Sequence, residues 1–246
     1  MMPLTPVRDI KLPENLADAD AQAVMTALDA GPHVHNPAAR FVGGCVRNSL
    51  LGLTTGDIDI ATQYTPDAVT QRLQDANIRV IETGIDHGTA TAIGPHTGRP
   101  FEITTLRRDV ATNGRHADVA FSTDWAEDAK RRDFTMNTLL CDLRGRVYDP
   151  LGTGMDDLEA RHVRFVGDPA QRIAEDYLRI LRFFRFSAEY GRDKPDEDGL
   201  AACRTAADKV YTLARERIAR EFFKILTVGN PVDSLEIMRD NNILGR

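Results

Sequence analysis

The chain is poor in cysteine. Of its 246 residues only three are cysteines, Cys45, Cys141 and Cys203, set far apart and without a Cys-x-x-Cys pair. That excludes a disulfide framework, a zinc knuckle and a dithiol redox site, and it predicts reduced thiols in the core of a cytoplasmic protein. No apolar run is long enough to span a bilayer, and the amino terminus lacks the charged-then-apolar pattern of a secretory signal. Neither membrane insertion nor secretion is expected. Positive charge is also in deficit. A formal net charge of -6 excludes a uniformly basic nucleic-acid binder and leaves local arginine clusters to hold any polyanion. Such clusters stand at Arg107 and Arg108, at Lys130 to Arg132, along Arg179, Arg182 and Arg185, and at Arg215, Arg217 and Arg220. Repeats and low-complexity segments are absent.

A hydrophobic content of 42% is enough to bury a sizeable core, in one large domain or two small ones. Residues 1–39 hold a proline-bounded lead and one helix, marked by Ala21, Val24, Met25 and Leu28 at helical spacing and stopped by Gly31-Pro32. From 40 to 166 short strand-like runs alternate with helices. Strands are expected at 40–43, 57–61, 79–82, 89–94, 100–105 and 146–149, and helices at 46–51 and 66–76. After Gly167-Asp168-Pro169 the pattern becomes long, helical and rich in arginine and aromatics. One apolar stripe runs through Ile173, Tyr177, Ile180, Leu181, Phe184 and Ala188, and another through Ile218, Phe222, Ile225 and Leu226. A last short helix is expected from Pro231.

The chemistry concentrates in Gly43-Gly44-Cys45-Val46-Arg47 followed by Asp57-Ile58-Asp59. Strand side chains alternate faces, so Asp57 and Asp59 project together while Ile58 points into the core. Two such carboxylates can hold a divalent metal, glycines let the backbone approach a phosphate, and Arg47 offers a planar fork of donors. A bare Asp-x-Asp is common on solvated strands. The buried pattern of Phe41, Val42, Ile58, Ile60 and Ala61 around this one favours a built site. Glu102, between Phe101 and Ile103, reads equally well as a third carboxylate or as a surface glutamate on an edge strand.

These motifs are followed in order by Phe101-Glu102-Ile103-Thr104-Thr105, Arg131-Arg132-Asp133-Phe134-Thr135-Met136-Asn137, Glu175-Asp176-Tyr177-Leu178-Arg179 and Arg182-Phe183-Phe184-Arg185-Phe186. The ordered set resembles the class II tRNA nucleotidyltransferase and bacterial poly(A) polymerase family of the polymerase-beta-like superfamily. The resemblance implies an α+β fold, with a nucleotidyltransferase head (mixed sheet with helices) over 40–166. An all-helical, nucleotide-reading neck over 167–230 and the start of a helical body over 231–246 would follow. Because the chain stops at Arg246, just after the neck-like helices, a truncated or an unusually short member is expected.

By the same resemblance Asp57 and Asp59 hold magnesium; Glu102 joins them as a candidate catalytic carboxylate on its strand pattern alone. Gly43, Gly44 and Arg47 contact the triphosphate. Arg132, Asp133 and Asn137 belong to the nucleotide-contacting Arg-Arg-Asp motif, and Asp176, Arg179, Arg182 and Arg185 to the nucleotide-reading helix. Asn48 departs from the aspartate that many members carry, and is expected to be a structural substitution that keeps activity. Arg107, Arg108, Arg115 and His116 read as a mobile loop, which in the family lies near the primer end and takes part in switching from C to A addition, with Arg107, Arg108 and Arg115 as candidate RNA contacts; ordinary solvated loop arginines are an equal alternative. His87, in a Thr-Gly-x-x-His-Gly-Thr turn, favours the tRNA enzymes and reads as structural; His33 and His35 read as incidental.

The expected activity is addition of C and A, from CTP and ATP, to the tRNA 3′ end, with pyrophosphate released. Cytosine and adenine each present an amino donor beside a ring-nitrogen acceptor. An accept-only Asp176 with a donate-only Arg179 therefore complements C and A and opposes U and G. The competing readings are a poly(A) polymerase or A-only enzyme, and a catalytically incompetent RNA-binding fragment. A plain Glu175 to Arg179 ion pair is also expected, and Arg185 could simply brace the neck.

Overall fold

A computed structural model describes residues 4–84, 88–112, 117–192 and 194–244. The chain forms two compact units, one of residues 1–132 and 137–152 and the other of residues 133–136 and 153–246.

In the first unit the chain runs through β1 (Arg8–Asp9), α1 (Glu14–Ala17), α2 (Ala19–Ala27), β2 (Ala39–Val42), α3 (Gly44–Leu50), β3 (Ile58–Thr62) and α4 (Pro66–Asp75). It continues through β4 (Arg79–Gly84), β5 (Thr89–Ile93), β6 (Pro100–Thr105), β7 (Arg107–Thr112), β8 (Ala117–Phe121), α5 (Trp125–Ala129), β9 (Leu140–Cys141) and β10 (Arg146–Tyr148). Eight strands make one sheet in the order β1-β10-β9-β2-β3-β6-β5-β4. Its pairs are antiparallel except β3 with β6, which run parallel because α4, β4 and β5 intervene as a crossover. The short strands β1 and β9 carry too few residues to show an alternation, and only pairing reveals them. β7 and β8 form a separate two-stranded hairpin. Arg107 and Arg108 therefore lie on a paired strand and not in the expected loop; Arg115 and His116 fall outside the described residues, as does His87.

Alternation along β3 and β6 sorts the sheet into two faces. Phe41, Ile58, Ile60, Phe101 and Ile103 fill the core on one side, each contributing roughly 1.5–3 kcal/mol of apolar burial. On the other side Val42, Ala61, Leu106, Trp125, Leu140 and Tyr148 make a smaller cluster. Arg40 is buried there with its guanidinium 4.3 Å from the Trp125 ring centre and 4.6 Å from that of Tyr148. Burial lowers its pKa, an effect that Tyr148 and the Asp142 charge offset in part.

The second unit contains α6 (Gly154–Glu159), α7 (Pro169–Glu175), α8 (Leu178–Tyr190), α9 (Glu197–Thr205), α10 (Arg215–Leu226) and α11 (Pro231–Asp240). Phe134 anchors it. Its ring lies 5.0 Å from Phe165 and 4.8 Å from Phe186, with Phe165 stacked 5.3 Å from Phe183. The apolar stripe from Ile173 to Ala188 is not one helix. Asp176 adopts an extended conformation, and its carboxylate accepts from Leu178 N at 3.1 Å, so the chain breaks and restarts as α8. A short acidic side chain that bonds nearby backbone competes with helix continuation. Cys45, Cys141 and Cys203 are free and buried, and among the described residues no helix is long and apolar enough to cross a membrane.

Candidate active site

In the first unit β2 is followed by Gly43, whose φ of 72° lies in the left-handed region that glycine enters without penalty. A Cβ at this position would stand 3.6 Å from Arg132 Nη1 and 3.8 Å from Asp59 Oδ2. The missing side chain thus leaves open the space between an arginine and a carboxylate. Gly44 opens α3, and a Cβ there would lie 3.7 Å from Arg47 Nη2.

Arg47 is only 6% exposed. Its Nη1 donates to Asn137 Oδ1 at 2.6 Å, while Nε and Nη2 donate to Asn48 Oδ1 at 3.1 and 2.8 Å. Asn48 Nδ2 donates in turn to the carbonyl of Thr54 at 2.9 Å.

Asp59 faces Val42 of β2 on one side and Glu102 of β6 on the other. Because directly opposed residues share a face, Asp59 and Glu102 stand together on the side away from the apolar core. Asp59 is consequently raised to about 6. Burial is the main cause, the charges of Glu102 and Asp57 add to it, and the Arg132 guanidinium opposes it. The edge-strand reading of Glu102 fails, since β6 lies between β3 and β5. Arg132 is also tied to Asp128 at 3.1 Å. Among the described residues no three His, Cys, Asp or Glu side chains converge into a closed metal cage. The donor set fits a hard cation that takes one or two carboxylates and completes its shell from water and phosphate, as magnesium does.

In the second unit Asp133 caps Phe134 N at 2.8 Å and accepts from Arg182 Nε at 2.8 Å. Burial alone would lower the Arg182 pKa, but the charge and hydrogen bond of Asp133, together with the charges of Glu221 and Asp176, outweigh it and hold the guanidinium above its usual range. Arg179 Nη1 donates to the Arg172 carbonyl at 2.8 Å and to Glu175 Oε2 at 2.7 Å, which is the expected ion pair. Asp176 receives Arg217 Nη2 from α10 at 2.9 and 3.1 Å. Arg185 pairs with Glu221 of α10 and, at 3.2 Å, with Glu189, so it braces α8 against α10. Arg107 donates its backbone N–H to Asp128, and Arg108 is exposed.

Three contributors escaped the sequence reading. The sequence marks Asn48 as a structural substitution without placing it at Arg47, offers Arg217 only as one of a basic cluster, and gives no signal for Glu221.

Two family models match: "Poly A polymerase head domain" over residues 39–164 and "Probable RNA and SrmB- binding site of polymerase A" over residues 194–245. CCA tRNA nucleotidyltransferase 1, mitochondrial, of Homo sapiens is 48% identical over 206 residues, covering 81% of this chain and 46% of that protein. The CCA-adding enzyme of Oceanobacillus iheyensis is 44% identical over 187 residues, covering 75% and 45%. The chain thus spans just under half the length of these curated relatives. The crystal structure of the Bacillus stearothermophilus CCA-adding enzyme in complex with CTP superimposes with a TM-score of 0.78 at 31% identity, covering 95% of this chain and 53% of that one. The tRNA-bound Thermotoga maritima CCA-adding enzyme, at 23% identity and a TM-score of 0.74, shares the fold. On the head-domain match and these relatives, the chain belongs to the family of class II tRNA nucleotidyltransferases and bacterial poly(A) polymerases within the polymerase-beta-like superfamily.

Proposed function

We propose that this chain is a template-independent RNA nucleotidyltransferase that adds C and A residues to the 3′ end of tRNA from CTP and ATP. The observation that carries the reading is the row formed by Asp59 and Glu102, with Asp57 alongside and the bare Gly43 turn opening onto Arg132. It is an acidic face bordered by an arginine, with room left for phosphate.

The 3′-hydroxyl oxygen of the RNA bonds to the α-phosphorus, the bond from that phosphorus to the bridging oxygen of the β-phosphate breaks, and pyrophosphate leaves. Asp57 and Asp59 would hold magnesium, which when bound supplies Lewis acidity that eases loss of the hydroxyl proton and offsets charge on the leaving oxygen. Glu102 keeps that face acidic. Arg47 and the Gly43-Gly44 backbone hold the triphosphate, and Arg132 neutralises charge beside Asp59. Asn137 steadies Arg47.

Asp176 and Arg179 read the base. A carboxylate has about four acceptor positions, so Asp176 can accept from the amino group of C or A while Arg217 holds it. Uracil and guanine would set a carbonyl against it and leave buried groups unpaired. Asp133 pairs with Arg182 of α8 and so ties that helix to the segment of Phe134. Arg107 and Arg108 would meet RNA phosphates, so activity should fall steeply as salt rises.

The names of the similar proteins and the CTP-bound structure support CCA addition over poly(A) synthesis. The test is extension of tRNA transcripts ending before CCA, after C and after CC, with CTP, ATP or both, beside an Asp57→Ala, Asp59→Ala control. Addition that stops at CCA, absent from the control, is expected. A long A tail would establish a poly(A) polymerase, one A added only after CC an A-adding enzyme, and no extension an RNA-binding fragment.

A further inference from the structure

We infer that Asn48 is a positioning residue that aims Arg47 at the triphosphate and ties it to the loop delivering Asp57; the inference rests on the reading of the site given above. Asn48 uses both ends of its amide. The oxygen accepts from Arg47 Nε and Nη2 at 3.1 and 2.8 Å, and the nitrogen donates to the Thr54 carbonyl at 2.9 Å. The orientation of the amide is unambiguous, because a guanidinium only donates and a carbonyl only accepts.

With Nη1 held by Asn137 at 2.6 Å, all three guanidinium nitrogens of Arg47 have a fixed acceptor. The plane of the fork is therefore set before any ligand arrives. An arginine ordered in advance loses less entropy on binding phosphate than one that must be gathered from solvent.

The second half of the amide reaches the loop that precedes Asp57. Thr54 lies three residues before Asp57, and that loop enters β3 directly. One side chain thus connects the group that holds the triphosphate to the segment that positions the metal ligand. Only an amide can do both. Alanine makes neither bond. Aspartate would hold the arginine but has no hydrogen for Thr54 and would turn a charge towards its carbonyl.

The test is equilibrium dialysis of labelled CTP without RNA, in magnesium and in EDTA, for wild type, Asn48→Ala, Arg47→Ala, the double variant and Asn48→Asp, with melting of each followed in parallel. Asn48→Ala is expected to weaken CTP about tenfold in both conditions, as loss of a hydrogen bond to a charged group does. The double variant should bind within about twofold of Arg47→Ala alone, because Asn48 acts through that side chain. Asn48→Asp should stay within about threefold of wild type in EDTA, since it keeps the acceptor for Arg47. Should Asn48→Ala not fold, Asn48→Ser, too short to span to Arg47, takes its place.

Losses that multiply in the double variant, or Asn48→Asp binding as weakly as Asn48→Ala, would overturn the inference. So would Asn48→Ala binding within twofold of a wild type that itself binds CTP. A wild-type chain that binds no CTP in either condition would overturn the proposed function, and this inference with it.

Discussion

Asp59 of β3 and Glu102 of β6 stand side by side on parallel neighbouring strands, on the face away from the apolar core. Burial together with the Glu102 charge holds the Asp59 carboxyl near 6, well above its ordinary 3.8. The acidic face is therefore costly to the protein when nothing cationic is bound, a relationship with consequences for stability as well as activity.

Asp59→Asn should abolish nucleotide addition and yet stabilise the metal-free protein at neutral pH. A carboxyl whose folded pKa is raised contributes stability in full below its unfolded value of 3.8, and that contribution is lost as pH climbs through about 6. Replacement by the neutral amide should raise stability by about 2 kcal/mol above pH 6 and by little at pH 4. Melting of both proteins in EDTA across that range measures the difference. A gap that does not change with pH would refute the account.

Gly43→Ala places a Cβ at φ 72°, in the space bordered by Arg132 and Asp59. The backbone strain should cost about 1–2 kcal/mol, read from chemical denaturation. CTP binding should fall more than about tenfold, because the same methyl occupies the approach to the phosphates. Normal CTP affinity in a folded Gly43→Ala protein would show that the turn is structural only.

Arg217→Ala removes an ion pair whose partners are 48% and 34% exposed, so stability should change by less than about 1 kcal/mol. Its effect should fall on selection. With Asp176 no longer held from α10, preference for C over U should drop about tenfold in single-nucleotide addition assays, with a smaller loss in the rate for C itself. Unchanged preference would remove Arg217 from the reading of the base.

Asp133→Leu leaves Arg182 without its carboxylate and Phe134 N without its cap. A loss of about 3 kcal/mol is expected in urea unfolding. Adding Arg182→Met should recover part of that loss, since a pair replaced by apolar groups costs less than a pair half removed. A double variant less stable than Asp133→Leu would show that Arg182 is held mainly by other partners.

The sequence by itself determined the local chemistry. Alternation of Ile58, Asp59 and Ile60 has a period of two residues, so the strand and the side to which Asp59 turns were legible without any distant contact, whereas Asp57, expected on the same strand, lies just before β3. The glycine turn before Arg47 and the Glu175 to Arg179 pair, four residues apart, were legible for the same reason. The family resemblance extended that reading to the order of the elements.

Relationships between remote segments were decided only by the tertiary structure. Glu102 could be a catalytic neighbour or an edge residue until β6 paired with β3 across a crossover. Arg185 found Glu221, and Asp176 found Arg217, on a helix whose register against α8 is set by side-chain packing. The break at Asp176 interrupts a stripe that is continuous by hydrophobic count, because one carboxylate took a backbone N–H that the helix would have used. Periodicity and residue type are properties of a few consecutive positions. Which charges meet depends on packing summed over the whole unit, and that sum is not written in any short stretch of the chain.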